Sequence, residues 1–230
     1  MLWLCLSRIK YSSRVAIMDN LVGRWNMEKG LCTGTDALLK LQGINWALRK
    51  GIGLASLRLD VSIYKDDQKP DSDVTVVDVA TTPTGGLGVT RERRVLDWSL
   101  VDHKDYLFGS NQHQTHWIYG VRDSEGRAYP EFELQTKVAK DEDRVKQFMR
   151  GEIQEDGKQT AWDVDEPDAE GKHVWLHTFV RNFDTGWVAE QVWGFEVING
   201  KRYHTRRILS ANTKGEYVLG RLVYSFVGRE

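Results

Sequence analysis

The chain is poor in the residues that staple, break or anchor a fold. Its two cysteines, Cys5 and Cys32, stand far apart, in neither a zinc-like nor a CxxC spacing, so a disulfide framework, a metal staple and a thiol redox site are all excluded. Neither sign of charge dominates: 32 Lys and Arg stand against 33 Asp and Glu, for a net charge of −1. That balance leaves no electrostatic footprint for nucleic acid or an anionic membrane. The densest basic cluster, Arg91, Arg93 and Arg94, is interrupted by Glu92. No apolar run approaches the ~18 residues of a membrane-crossing helix. The apolar stretch Met1–Leu6 is short and precedes its basic residues, the reverse of a secretory signal. We therefore expect residues 1–18 to be an N-terminal tail, and the protein to be cytoplasmic. Gly-x-Ser-x-Gly, Walker and dinucleotide-binding patterns are missing as well, so the expected cofactor is none.

Nine Trp and 21 Gly stand against four Pro, a balance that suits many strands joined by glycine turns. The order of local patterns says more. Asp19 to Met27 reads as an opening strand centred on Gly23-Arg24-Trp25. Residues 35–53 then take helical periodicity: Thr35 is read as the N-cap, Gly43 ends the first helix, and a second runs from Asn45 to Lys50 and stops at Gly51. From Leu57 the period becomes two, with Leu57, Leu59, Val61 and Ile63 on one face. Further strands are read at Val74–Thr82, Arg91–Trp98 and Asn111–Val121. Residues 123–172 break the rhythm. They read as an insertion whose amphipathic stretch, Asp141 to Arg150, carries Val145, Phe148 and Met149 on one side. Strands return at His173–Arg181, Trp187–Ile198, Lys201–Ala211 and Glu216–Gly228, with Asn199-Gly200 as a strong hairpin turn. Eight or nine strands in hairpin order predict one all-β domain over residues 19–230, an up-and-down antiparallel β-barrel with a short αα-hairpin lid and one helical insertion.

Gly23-Arg24-Trp25, Thr35–Gly43 and Trp46–Gly51 resemble the start of the intracellular fatty-acid-binding proteins, in which a Gly-x-Trp strand leads into a helix–turn–helix lid. The whole chain is similar to fungal lipocalin-like proteins of the calycin superfamily; Trp187–Glu196 and Arg221–Tyr224 belong to that second likeness. The resemblance covers roughly residues 19–121 and 173–227 and implies a barrel around a small organic ligand. The fatty-acid carriers hold a carboxylate with Arg-x-Tyr. Here the spacing is Arg221-x-x-Tyr224, which puts the two side chains on opposite faces, so the anion role falls to Arg221.

Polar residues within apolar strand faces are the candidate site. His177, Tyr203 and Arg221 are expected to be catalytic. His113, Trp117, Tyr119, Gln191, Trp193 and Arg207 are expected to bind ligand. The two arginines share faces with apolar neighbours on strands expected to be adjacent, and each needs an acid, a carbonyl or a ligand oxygen. His113 and His116 face opposite ways on a strand, and His173 and His177 lie ~13 Å apart, so no metal site is expected. The expected partner is a small, largely apolar, secondary-metabolite-like molecule, with no nucleic acid and no transmembrane segment, and the protein is a monomer or homodimer. Two functions fit: a carrier that encloses the molecule, and a cofactor-independent isomerase or cyclase of fungal natural-product biosynthesis. The second follows from fold analogy with calycin-like fungal cyclases.

Overall fold

A computed structural model describes residues 20–66, 74–168 and 170–229. The expected tail and most of the turn after Asp66 lie outside them. Ten strands form one antiparallel sheet: β1 (Gly23–Met27), β2 (Leu57–Lys65), β3 (Thr75–Pro83), β4 (Thr90–Val95), β5 (Val101–Asp105), β6 (Gly109–Gly120), β7 (His173–Asn182), β8 (Val188–Ile198), β9 (Lys201–Ala211) and β10 (Tyr217–Gly228). Each strand pairs with its neighbour in sequence except β4 with β5, and β1 pairs with β10. The sheet thereby curls into a nearly closed up-and-down barrel, whose free edges β4 and β5 lie side by side without a hydrogen-bonded ladder. β5, Val-Asp-His-Lys-Asp, has no counterpart in the sequence reading because its alternation is polar on both faces.

Two helices, α1 (Thr35–Leu41) and α2 (Trp46–Leu54), fill the connection from β1 to β2. The N-cap of α1 is Gly34 rather than Thr35. Gly34 has φ 69°, and a Cβ there would sit 2.5 Å from the Leu219 carbonyl oxygen, so only glycine lets the chain turn against β10. Asn45 caps α2, its side chain accepting the Leu48 N–H. This helix continues through Gly51 to Leu54, beyond the expected stop. Leu38 of α1 is buried, whereas α2 buries no residue.

The segment between β6 and β7 holds α3 (Glu142–Arg150). Val145, Phe148 and Met149, at i, i+3 and i+4, form its apolar stripe and are fully buried. They pack with Trp162 onto Ile118, Trp175, Val192 and Leu209, on the outer face of β6–β9. A separate core fills the barrel: Trp25, Leu59, Val61, Val77, Val79, Leu176, Trp193 and Tyr224. Strands β7 to β9 are therefore buried on both faces, as the run of eight buried residues His204–Ala211 shows. Gly194 of β8 marks the tightness of the outer contact, since a Cβ there would meet the rings of Trp175 at 2.7 Å and Trp162 at 2.9 Å.

Candidate functional site

The lid covers a cavity of about 170 Å³ at one mouth of the barrel. Leu39, Leu48 and Ile52 of the lid, Leu57 and Leu59 of β2, and Leu107 and Phe108 of the β5–β6 turn supply an apolar wall. Glu92, Arg206 and Tyr224 reach the same space from β4, β9 and β10. An apolar chamber with a few convergent polar groups is the usual form of a small-molecule site. At the other end, Leu21, Trp117 and Phe195 close the barrel against residues 163–165, leaving a void of only about 30 Å³.

Below the cavity the polar residues form a belt. Arg94 pairs with Glu92, and its Nη1 donates to Thr178 Oγ1 at 2.7 Å. Arg206 lies over the Trp193 ring, with Cζ 3.6 Å from the centroid, and its Nε donates to His204 Nε2 at 3.2 Å. That bond makes Nε2 of His204 the acceptor, so Nδ1–H donates to the Gly194 carbonyl at 3.0 Å. Burial, with Arg206 beside it, keeps the His204 imidazole neutral, well below its ordinary pKa. Burial alone would push the Glu92 carboxyl up; Arg94 and Arg206 outweigh it and hold the carboxyl below the usual range. Desolvation lifts the Tyr224 phenol to about 12. Three buried groups in this belt lack full partners: both ring nitrogens of His113, Arg94 Nε and Arg206 Nη2. Burial, reinforced by Arg94, takes the His113 pKa down to about 3.

None of the nine expected site residues lines the cavity under the lid. His113, Trp117, Gln191 and Trp193 do lie on inward faces, in or beneath the polar belt; Gln191 Oε1 accepts from Trp193 Nε1 at 2.9 Å. Tyr119 continues the face of Trp117 to the closed end, where it bridges Glu131. The other four correct the reading of which face is inside. Arg207 and Arg221 are cross-strand partners, as expected, but both point outward and meet Glu196, each at 2.9 Å. Arg207 Nη1 also donates to the carbonyls of Phe148 and Ile153. This cluster fastens the insertion to the barrel, and a protein carboxylate, not a ligand, supplies the partner. Tyr203 shares that outer face and receives Lys201 over its ring.

His177 sits outside too, in a chain with His116 and Glu190. Glu190 accepts the backbone N–H groups of Gln135 and Thr136 and lies 2.8 Å from His177 Nε2. An ionised carboxylate only accepts, so His177 donates from Nε2 and accepts His116 Nε2–H on Nδ1, at 3.0 Å. Trp98 stacks on the His177 ring and lies tilted against that of His116, and burial, then His177, takes the His116 pKa down to about 4. Among the described residues no group of three or more His, Cys, Asp or Glu is arranged to hold a metal ion. No helix of the described residues is long and apolar enough to cross a membrane.

Sequence reasoning missed Glu92, Arg206 and Tyr224 as a set, although a signal existed. The Asn199-Gly200 turn fixes the hairpin register, and that register sets Arg206 opposite Trp193, a residue already read as inward.

Two curated fungal proteins are similar to this chain in sequence. The chain is 28% identical to the probable pericyclase scpY of Mollisia scopiformis, over 92% of each chain. It is 25% identical to the pericyclase pydY of an Acremonium species, over 89% of this chain and 90% of that one. No protein-family model matches. Solved structures that align include lipid binding protein 8 of Caenorhabditis elegans, 11% identical with a TM-score of 0.45, over 91% of this chain and 97% of that one. The fluorescent protein UnaG aligns at 12% identity and a TM-score of 0.46, over 91% and 99%.

Proposed function

We propose that the barrel admits one flexible, largely apolar organic molecule beneath its lid and accelerates a pericyclic or isomerising ring closure without a cofactor. The observation that carries this reading is the lidded cavity, lined mainly by apolar side chains and charged only at Glu92 and Arg206. Full-length similarity to two fungal pericyclases supports it. Such a reaction moves π and σ electrons within one molecule and loses no atom, so the protein need only fold the substrate into a reactive shape and exclude water. A hydrogen bond from Arg206 to a conjugated carbonyl would add polarisation as charge shifts in the transition state. Action in the cytoplasm, as a monomer or homodimer, belongs to the same proposal.

The runner-up is a carrier, which uses the same cavity but returns its ligand unchanged. Native mass spectrometry of the freshly purified protein identifies what co-purifies. Incubating the candidate acyclic polyene with the protein then separates the two readings. A pericyclase yields a product of identical mass with altered ultraviolet absorbance and retention time, and Arg206→Met slows its formation. Recovery of unaltered ligand at the background rate would leave the carrier reading.

A further inference from the structure

We propose that the cavity selects a ligand whose polar end presents a hydrogen-bond donor and an acceptor side by side, as in an amide or an enolised β-dicarbonyl, in preference to a free carboxylate. The inference rests on the cavity under the lid being the ligand site. Two charged residues of opposite sign reach that space, Glu92 and Arg206. The Glu92 side chain keeps 26% of its surface open, with Oε2 held by Arg94 and Oε1 remaining for a ligand. Arg206 lines the cavity and is fixed by its bond to His204 and by its stacking on Trp193.

A carboxylate can only accept and a guanidinium can only donate. The pair therefore asks for a group that gives a proton to Glu92 and takes one from Arg206. A ligand carboxylate would satisfy Arg206 alone. It would also set a second pure acceptor beside the Glu92 carboxylate, with no proton to share between them. An amide, or the enol form of a β-dicarbonyl, answers both residues with one planar head. Arg94 neutralises Glu92 but offers the ligand none of its Nη groups, which are engaged by Glu92 and Thr178.

The test uses decanamide and decanoate, which share a chain and differ at the head, each displacing the neutral fluorophore N-phenyl-1-naphthylamine at pH 7.5. The wild-type protein is expected to bind decanamide at least tenfold more tightly. Glu92→Gln, which adds a donor and removes the charge, is expected to narrow or reverse that preference, and Arg206→Met to weaken both ligands. Decanoate binding as tightly as decanamide to the wild type would overturn the inference, and this comparison stands even if the variants fail to fold. A preference unchanged in folded Glu92→Gln would overturn it too. If the fluorophore itself does not bind, the cavity reading fails first and takes this inference with it.

Discussion

Arg206 and Arg207 are neighbours on β9 with opposite assignments, so substituting each by methionine tests inside against outside directly. Arg207 has no exposed surface. Its Nε binds Glu196 and its Nη1 serves the carbonyls of Phe148, at the end of α3, and Ile153. Breaking a buried ion pair from one side costs about 3–5 kcal/mol, because the abandoned charge and acceptors stay buried. Glu196 would keep Arg221 at 2.9 Å and Thr205 at 3.2 Å, which places the loss near the lower figure. With a urea slope of about 2–3 kcal/mol/M, a loss of about 3 kcal/mol lowers the unfolding midpoint by about 1–1.5 M. The affinity of the folded fraction for N-phenyl-1-naphthylamine or decanamide should stay the same. Arg206→Met should behave in the opposite way. The hydrogen bond proposed from Arg206 to the ligand head disappears, and losing a bond to a charged group weakens decanamide by about 10- to 100-fold. The two measurements are made on one sample of each variant. An unchanged midpoint for Arg207→Met would refute its role as a fastening, and lost affinity in still-folded Arg207→Met would refute the outward assignment.

Acid should destabilise the protein well before its carboxylates titrate. His113 and His116 are held neutral down to pH values of about 3 and about 4, and His204 and His173 are lowered as well. In the unfolded chain these imidazoles take up protons near pH 6.5, so stability falls as pH drops below about 6.5 and continues to fall towards about 4. His103, raised by its bond to Asp105, works against the trend but is a single group. A urea midpoint that holds steady or rises from pH 7 to 5 would contradict these placements. At the lid, Gly220→Ala would put a Cβ 2.5 Å from Leu38 Cδ1 and 2.9 Å from the Thr33 carbonyl oxygen, prising α1 from β10. Faster hydrogen exchange over residues 35–41 and a faster ligand off-rate are expected, and unchanged exchange would dissociate α1 from gating. In the wild type, exchange over residues 35–54 should slow when decanamide is bound, because Leu39, Leu48 and Ile52 touch the cavity; equal protection with and without ligand would remove the lid role. Gly194→Ala should cost about 1–3 kcal/mol by overpacking, seen as a lower urea midpoint with a shifted tryptophan emission.

The sequence by itself determined the meander, the helical pair after the first strand and the amphipathic helix of the insertion. Each of these is written in local periodicity and turn chemistry. Lys201–Ala211 coincides with its expected bounds, and Asn199 and Gly200, both at positive φ, turn the hairpin that the Asn-Gly pair announces. Alternation also separated the two faces of each strand, so His113 and His116, or Arg221 and Tyr224, were rightly placed on opposite sides.

Only the tertiary structure decided which face was inside. On β2 that question answers itself, because Leu59 and Val61 alternate with exposed Arg58 and Ser62. On β9 it does not. The insertion lays α3 and Trp162 over the outer wall, so Thr205, Arg207 and Leu209 are as deeply buried as His204 and Arg206. A strand covered on both faces carries no polar side to mark the solvent. The apolar row containing Arg207 therefore looked like a cavity wall, while the true floor residue stood one position away. The bond of Arg94 to Thr178, and the approach of Glu92 to Arg206, arise from barrel closure, which brings β4 against strands more than 80 residues later in the chain. Distances of that kind have no trace in local sequence.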